Sequence, residues 1–217
     1  MATKRAHIVY AHIGPTSLNE FLRDKAVSLL SASGWTVSVT DLYEDGFKCS
    51  VDKADFPLYT DTTFCLQDAQ AQAMAASQLP VDVMVEMSKL EAASLVVFQF
   101  PIYLMNAPAV LLGYFTRVFY QDWAYGRRQA LAGKRVLMSC TAGLEEEVFV
   151  PGKRGPWNAH LHGLCCEGLS HLGVTVLEPI VMYGFPSISD DAKYQYLQKY
   201  EQCFREIDTR KEFASEF

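Results

Sequence analysis

The chain has 217 residues, half of them hydrophobic, 12% aromatic and 20% charged, with a formal net charge of −6 at pH 7. That apolar content supplies a full core and excludes a disordered chain, and the length suits a single domain over residues 1–217. The acidic balance argues against nucleic acid or an anionic membrane as partner, and no run approaches the ~18 consecutive apolar residues of a membrane span.

The opening Met1-Ala2-Thr3-Lys4-Arg5-Ala6 enters an apolar strand almost at once. It lacks the basic segment, long apolar run and cleavage site of a secretory signal, so a cytoplasmic location is expected. Cys49, Cys65, Cys140, Cys165, Cys166 and Cys203 show no CxxC spacing. No zinc site is expected from them, and most are read as core thiols.

Strand-like and helix-like stretches alternate along the chain. Residues 6–12 form a short apolar, β-branched run. Leu18, Phe21, Leu22, Ala26, Leu29 and Leu30 then recur at helical spacing. Ser17 with Glu20 three positions on reads as a capping box, and Gly34 closes the helix. Residues 35–40 alternate as a second strand. From Asp41 to Thr63 no period is visible. Helical patterns return over 66–76 and 81–93, and residues 94–100 form a nearly continuous apolar run, as in a strand buried on both faces. A helix follows over 108–120, with Asn106 as a candidate cap and Pro108 in the first turn. Residues 134–140 read as a strand, 141–157 as a loop, 158–172 as a helix, 174–177 as a strand and 190–207 as the last helix.

Five strands alternating with helices predict an α/β fold: a doubly wound parallel sheet of flavodoxin-like order 2-1-3-4-5. Ligands of such sheets bind beyond the carboxyl ends of the strands, near the switch point. Three loops meet there: residues 12–17, 101–106 and 141–155. The first leads into a helix N-terminus, an anion site by its free N–H groups and dipole. Thr16 and Ser17 add hydroxyls and His12 a charge-assisted donor; the alternative is that Ser17 only caps the helix. Neither GxGxxG nor GxxxxGK[ST] occurs, which excludes a Rossmann turn and a P-loop.

The second loop, Pro101-Ile102-Tyr103-Leu104-Met105-Asn106-Ala107-Pro108, is apolar where a loop should be polar. It suits a clasp for a planar ring, or else a dimer contact or core plug. In the third, Thr141-Ala142-Gly143 lets backbone approach a ligand, Glu145-Glu146-Glu147 reads as a solvated face, and Lys153 and Arg154 are candidates for a phosphate. His160 and His162, two apart, do not share a helix face, so no metal site is expected from them. For His7 and His171 the sequence offers no partner.

These loops resemble the NAD(P)H:quinone oxidoreductase (DT-diaphorase) family. The matching stretches are IVYAHIGPTSLNEF (8–21), GWTVSVTDLYEDGF (34–47), KLEAASLVVFQFPIYLMNAPAVLLGYFTRVF (89–119), DWAYG (122–126) and LGVTVLEP (172–179). The resemblance implies bound FAD, NAD(P)H as hydride donor, and ping-pong transfer through flavin N5 to a quinone or similar flat electrophile. It also implies a homodimer with active sites at the interface. Carried over, the pyrophosphate and adenine side falls on His12, Thr16, Ser17, Leu18 and Asn19. The isoalloxazine falls along Pro101, Ile102, Tyr103, Leu104 and Met105, with its polar edge toward Thr141, Ala142 and Gly143. Tyr125 and Arg127 are implied to line the partner's substrate pocket.

Departures from the family pattern are specific. Leu104-Met105 stands where the family has Trp-Phe. The family's Tyr and His beside flavin O2 align with Val148, which leaves an apolar pocket wall, and with Arg154, which is expected to stabilise an anionic flavin but cannot act as an acid. A Gln that reaches the partner's flavin aligns with Cys65. Two other readings stay open: an FMN-dependent azo- or nitroreductase, and a non-catalytic flavin-sensing regulatory subunit.

Overall fold

The computed structural model describes residues 4–213, apart from the side chains of residues 157–159, 165 and 166. The expectations for residues 1–3, Cys165 and Cys166 lie outside the described residues. Of the other cysteines, Cys140 and Cys203 are buried, Cys65 is half-buried and Cys49 is exposed, contrary to a core role for it.

Five parallel strands form the sheet: β1 (Arg5–Tyr10), β2 (Thr36–Asp41), β3 (Leu95–Pro101), β4 (Arg135–Thr141) and β5 (Thr175–Met182). Their order is β2-β1-β3-β4-β5, as the alternation of elements predicts. The helices are α1 (Leu18–Ala32), α2 (Leu66–Ala75), α3 (Val81–Ala92), α4 (Ala109–Val118), α5 (Trp157–His162) and α6 (Asp190–Arg205). β3 is buried along its whole length and sends alternate side chains into two cores. Leu95 and Val97 join Leu22, Ala26 and Leu30 of α1 and Phe204 of α6. Val96, Phe98 and Phe100 join Val83 and Leu90 of α3 and Leu111 and Tyr114 of α4. This two-sided burial is why the run carries no polar/apolar alternation. No described helix is long and apolar enough to cross a membrane.

Several boundaries differ from expectation for identifiable reasons. β5 runs past Leu177 to Met182, because a register shift opposite β4 between Leu137 and Ser139 absorbs Pro179, which has no N–H for the ladder. The helix expected over 158–172 starts at Trp157 and winds as a π-helix over Gly163–Leu169. There a Cβ on Gly168 would stand 3.2 Å from the Gly163 carbonyl oxygen, so glycine eases the wider turn. Asn106 does not cap α4. Pro108 holds that position, and Asn106 Oδ1 accepts from the Ala107 amide at 2.8 Å.

The aperiodic stretch after β2 is pinned rather than loose. Arg117 of α4, 2% exposed, donates to Asp55 (2.9 Å), Asp82 (2.5 Å) and the Lys48 carbonyl (2.9 Å). Beside it Gly113 lies so close to Cys49 that a Cβ would come within 1.8 Å of the Cys49 carbonyl oxygen.

His7 also has partners. Buried on β1, it meets Ser38 through Nδ1 at 2.9 Å and Glu86 of α3 through Nε2 at 3.4 Å. Thr40 (2.8 Å), Lys89 (2.7 Å) and Tyr114 (3.1 Å) donate to the same carboxylate. Burial pushes the Glu86 carboxyl up, but hydrogen bonds from His7 and Lys89 outweigh it and hold the group at about 2.

Candidate active site

Beneath the carboxyl ends of the strands lies a buried polar chain. Gln99, fully buried on β3, donates to Asn19 Oδ1 of α1 at 2.8 Å and accepts from Ser139 Oγ of β4 at 2.6 Å. Tyr200 of α6 donates to the Leu22 carbonyl at 2.8 Å. Asn19 Nδ2 donates to Thr141 Oγ1 at 2.9 Å. The chain locks the first turn of α1 to the ends of β3 and β4. It also turns the Asn19 side chain inward, leaving only its backbone to face a ligand. Gln99 is a residue the sequence reading passed over, although a lone amide inside an apolar strand is a visible signal.

In the first loop Ser17 is the N-cap of α1, its Oγ accepting from the Glu20 amide at 3.0 Å. The expected capping box is displaced by one residue. The Glu20 carboxylate reaches back to the Thr16 amide (2.5 Å), not to Ser17. Thr16 has φ +58°, and its hydroxyl donates to the Pro15 carbonyl at 2.7 Å. The carboxylate therefore already stands as an anion at this helix end, where the Leu18 and Asn19 amides have no intrahelical acceptor. Nδ1 of His12 is buried without a hydrogen-bond partner. Tyr10 closes the base of the loop, its hydroxyl 3.2 Å from Ser17 Oγ. A cleft of about 450 Å³ opens beside it, lined by Tyr10, His12, Glu20, Asp41, Tyr43 and neighbouring backbone.

The second loop is a tight hairpin. Tyr103 and Asn106 exchange two backbone hydrogen bonds of 2.9 Å, while Leu104 and Met105 take φ of +48° and +61°. Both central residues are left-handed, a turn that ordinarily uses Asn and Gly. Leu104 is 100% exposed and Tyr103 45%. No described residue packs on Leu104 to offset the strain. The Ile102 amide donates to the Thr141 carbonyl at 2.8 Å, tying this loop to the third, and Pro101 ends β3 beside Thr141.

In the third loop Thr141 and Ala142 are buried and Gly143 is exposed. The Ala142 amide donates to Met182. Val148 packs in part against the core and accepts from the Arg154 amide at 3.0 Å. The Arg154 carbonyl accepts from His160 Nε2 at 2.7 Å. Two bonds thus fix the Arg154 backbone, while its guanidinium has no ion pair among the described residues.

Tyr125 and Arg127 stand apart from these loops. The Tyr125 ring packs on His171 at 5.4 Å, giving that histidine a partner, and burial pushes its phenol up. Arg127 is exposed and reaches Asp122 at 3.4 Å. Cys65 is the N-cap of α2 and gives it no side-chain hydrogen bond. Among the described residues no group of three or more His, Cys, Asp or Glu is placed to hold a metal ion.

Comparison with known proteins agrees with this architecture. The profile of the family described as flavodoxin-like fold matches residues 4–204. NAD(P)H dehydrogenase [quinone] 1 of Rattus norvegicus is 32% identical over 210 residues, covering 93% of this chain and 77% of that protein. Ribosyldihydronicotinamide dehydrogenase [quinone] of Mus musculus is 32% identical over 216 residues, covering 95% and 93%. Among solved structures, a putative quinone reductase from Klebsiella pneumoniae superposes with a TM-score of 0.91 at 25% identity, over 96% of this chain and 86% of that one.

Proposed function

Because the chain belongs to the NAD(P)H:quinone oxidoreductase family of flavodoxin-like proteins, and is an oxidoreductase on that ground, we propose that it uses FAD to pass hydride from NAD(P)H to a quinone or similar flat electrophile. The observation that carries this reading is the Leu104–Met105 turn. It is strained, apolar and open to solvent at the carboxyl rim of the sheet, and a flat ring laid against it would cover what the chain leaves bare.

The residues present fit a flavin. Amides of Leu18 and Asn19 and the His12 ring would take the pyrophosphate side, in place of the Glu20 carboxylate that holds the Thr16 amide. Pro101, Ile102, Tyr103, Leu104 and Met105 would lie along the isoalloxazine, with Thr141, Ala142 and Gly143 at its polar edge. A flavin held there would supply the redox chemistry, hydride exchange between NAD(P)H and the acceptor through N5 in ping-pong order.

The chain itself binds, orients and balances charge. The Asn19–Gln99–Ser139 chain holds the floor rigid. Arg154 would stabilise negative charge on the bound ring and moves no proton. Val148 shapes an apolar wall of the acceptor pocket. Tyr125 and Arg127, remote from these loops in their own chain, serve the site of a second copy in a cytoplasmic homodimer.

Release of the cofactor by heat, followed by chromatography, tests the cofactor assignment: FAD is expected, and FMN would move the chain toward the azoreductase-like reading. Quinone-dependent oxidation of NADH or NADPH tests the activity, and Arg154→Met is expected to lower kcat about tenfold or more. Full kcat in that variant would remove Arg154 from the mechanism.

A further inference from the structure

A quinone that takes up hydride becomes a hydroquinone monoanion, and one proton on its oxygen completes the product. None of the residues assigned above supplies that proton. Val148 has none to give, and a guanidinium does not act as an acid. Imidazole is the side chain that ordinarily gains and loses a proton near neutral pH.

The chain has five histidines, and four are engaged elsewhere. His7 is buried against Ser38 and Glu86. His12 lies in the first loop, beside the cleft that Tyr10 and Glu20 line. His160 commits Nε2 to the Arg154 carbonyl at 2.7 Å, and His162 meets Glu167 at 3.6 Å. His171 remains. It is exposed, and its ring stands 5.4 Å from that of Tyr125, the residue assigned above to the acceptor pocket of a second copy.

Both members of this pair sit on fixed backbone. Leu169 and Leu172, flanking His171, are buried, and the Gly173 amide donates to the Ser170 carbonyl at 2.9 Å. The Gly133 amide donates to the Gly173 carbonyl at 2.8 Å, which ties this turn to the segment before β4. Trp123 and Ala124, just ahead of Tyr125, are buried, and the Ala130 amide donates to the Trp123 carbonyl at 2.7 Å. The charged groups around the pair are engaged with one another or with backbone. Arg127 reaches Asp122 at 3.4 Å, Lys134 donates to the Glu91 and Ala93 carbonyls, and Glu167, on the helix of His171, faces His162. Burial and the Asp122 charge push the Tyr125 phenol up, so it keeps its proton and offers a ring wall rather than an acid.

We propose that His171, standing on the Tyr125 ring, is the acid of the acceptor half-reaction in the site of the second copy. Its imidazolium N–H bond breaks as an O–H bond forms on the hydroquinone monoanion, and the neutral ring regains its proton from water. The inference rests on the oxidoreductase and paired-copy reading above and adds the residue that completes the acceptor.

Two acceptors separate the proton from the electrons: p-benzoquinone needs the proton, whereas ferricyanide takes electrons without one. Flavin-loaded protein reduced by NADH is mixed with each in stopped flow. His171→Gln should lower the ratio of quinone rate to ferricyanide rate about tenfold or more. The wild-type quinone rate should fall as pH rises between about pH 5 and 8, the span in which imidazole loses its charge, and the variant should lose that dependence. Imidazole added to the buffer should restore part of the variant's quinone rate. Tyr125→Phe, which keeps the ring, and His160→Gln should both retain the pH dependence. Equilibrium dialysis reads the contact without turnover: 2,4-dinitrophenolate should bind the oxidised protein about fivefold more tightly than it binds His171→Gln, the effect of one charge-assisted hydrogen bond. An unchanged rate ratio, a pH dependence lost in His160→Gln instead, or equal dinitrophenolate affinities would overturn the role of His171 and leave the enzyme assignment intact. Flavin that neither NADH nor NADPH reduces, in protein whose dinitrophenolate binding still depends on His171, would overturn the enzyme assignment and leave His171 as a contact for an anionic oxygen.

Discussion

Leu104 and Met105 hold a backbone conformation that side-chain-bearing residues rarely adopt, and Leu104 does so with its whole side chain in solvent. Replacing the pair by Asn-Gly should relieve about 2 kcal/mol of strain, raising Tm by about 4–8 °C in a chain of this length. The same change should weaken flavin retention and acceptor turnover. A drop in Tm would show that the turn is not strained, and unchanged turnover would show that its side chains are not used. Glu20 makes the opposite point in the first loop. Its carboxylate occupies the anion position at the α1 N-terminus, so Glu20→Gln should tighten FAD about five- to tenfold in equilibrium dialysis. Weaker binding would mean that the carboxylate orders the loop rather than competes for it. Neither feature was legible beforehand. An apolar Leu-Met dipeptide carries no turn signal, and Glu20 three residues after Ser17 has the spacing of an ordinary capping box.

The elements depend on contacts between segments far apart in the chain. Gly113 on α4 admits the backbone of Cys49, and Gly113→Ala would drive a methyl into that carbonyl. A loss of about 2 kcal/mol or more is expected in urea unfolding, with the Arg117–Asp55 clamp disturbed alongside. Wild-type stability after that substitution would contradict the close approach. The Glu86 cluster sets a pH dependence. Its carboxyl titrates near 2 in the folded chain and near the ordinary carboxylate value when unfolded, so the folded state binds the proton more weakly. The resulting stability, on the order of 3 kcal/mol, is fully present above about pH 4.5 and is lost as pH falls toward 2. Urea midpoints should fall over that window, and Glu86→Gln should flatten the fall while lowering stability at pH 7. An equally steep decline in the variant would assign the acid sensitivity elsewhere. His7 showed no partner in the sequence because Ser38, Thr40 and Glu86 come from two other elements, β2 and α3.

The sheet order was readable from local pattern because each crossover must bury an apolar helix stripe on a parallel strand, and few topologies allow that. The rim was equally readable, since ligands of such sheets sit beyond the strand ends. Side-chain direction within the rim was not. Asn19 turns inward to Gln99 and Thr141, and the Tyr125 ring meets His171, a pairing that no spacing announced. Tyr125 and Arg127 lie away from the three loops of their own chain, which accords with paired copies and predicts a dimer by sedimentation equilibrium; a monomer with full activity would contradict that arrangement. The most direct test of the redox claim separates its two half-reactions. FAD-loaded protein is mixed anaerobically with NADH, the visible flavin absorption is followed, and a quinone is then added. Bleaching by the nicotinamide alone and recovery of the band on adding quinone are expected; a flavin spectrum that neither NADH nor NADPH changes would contradict the hydride-transfer role.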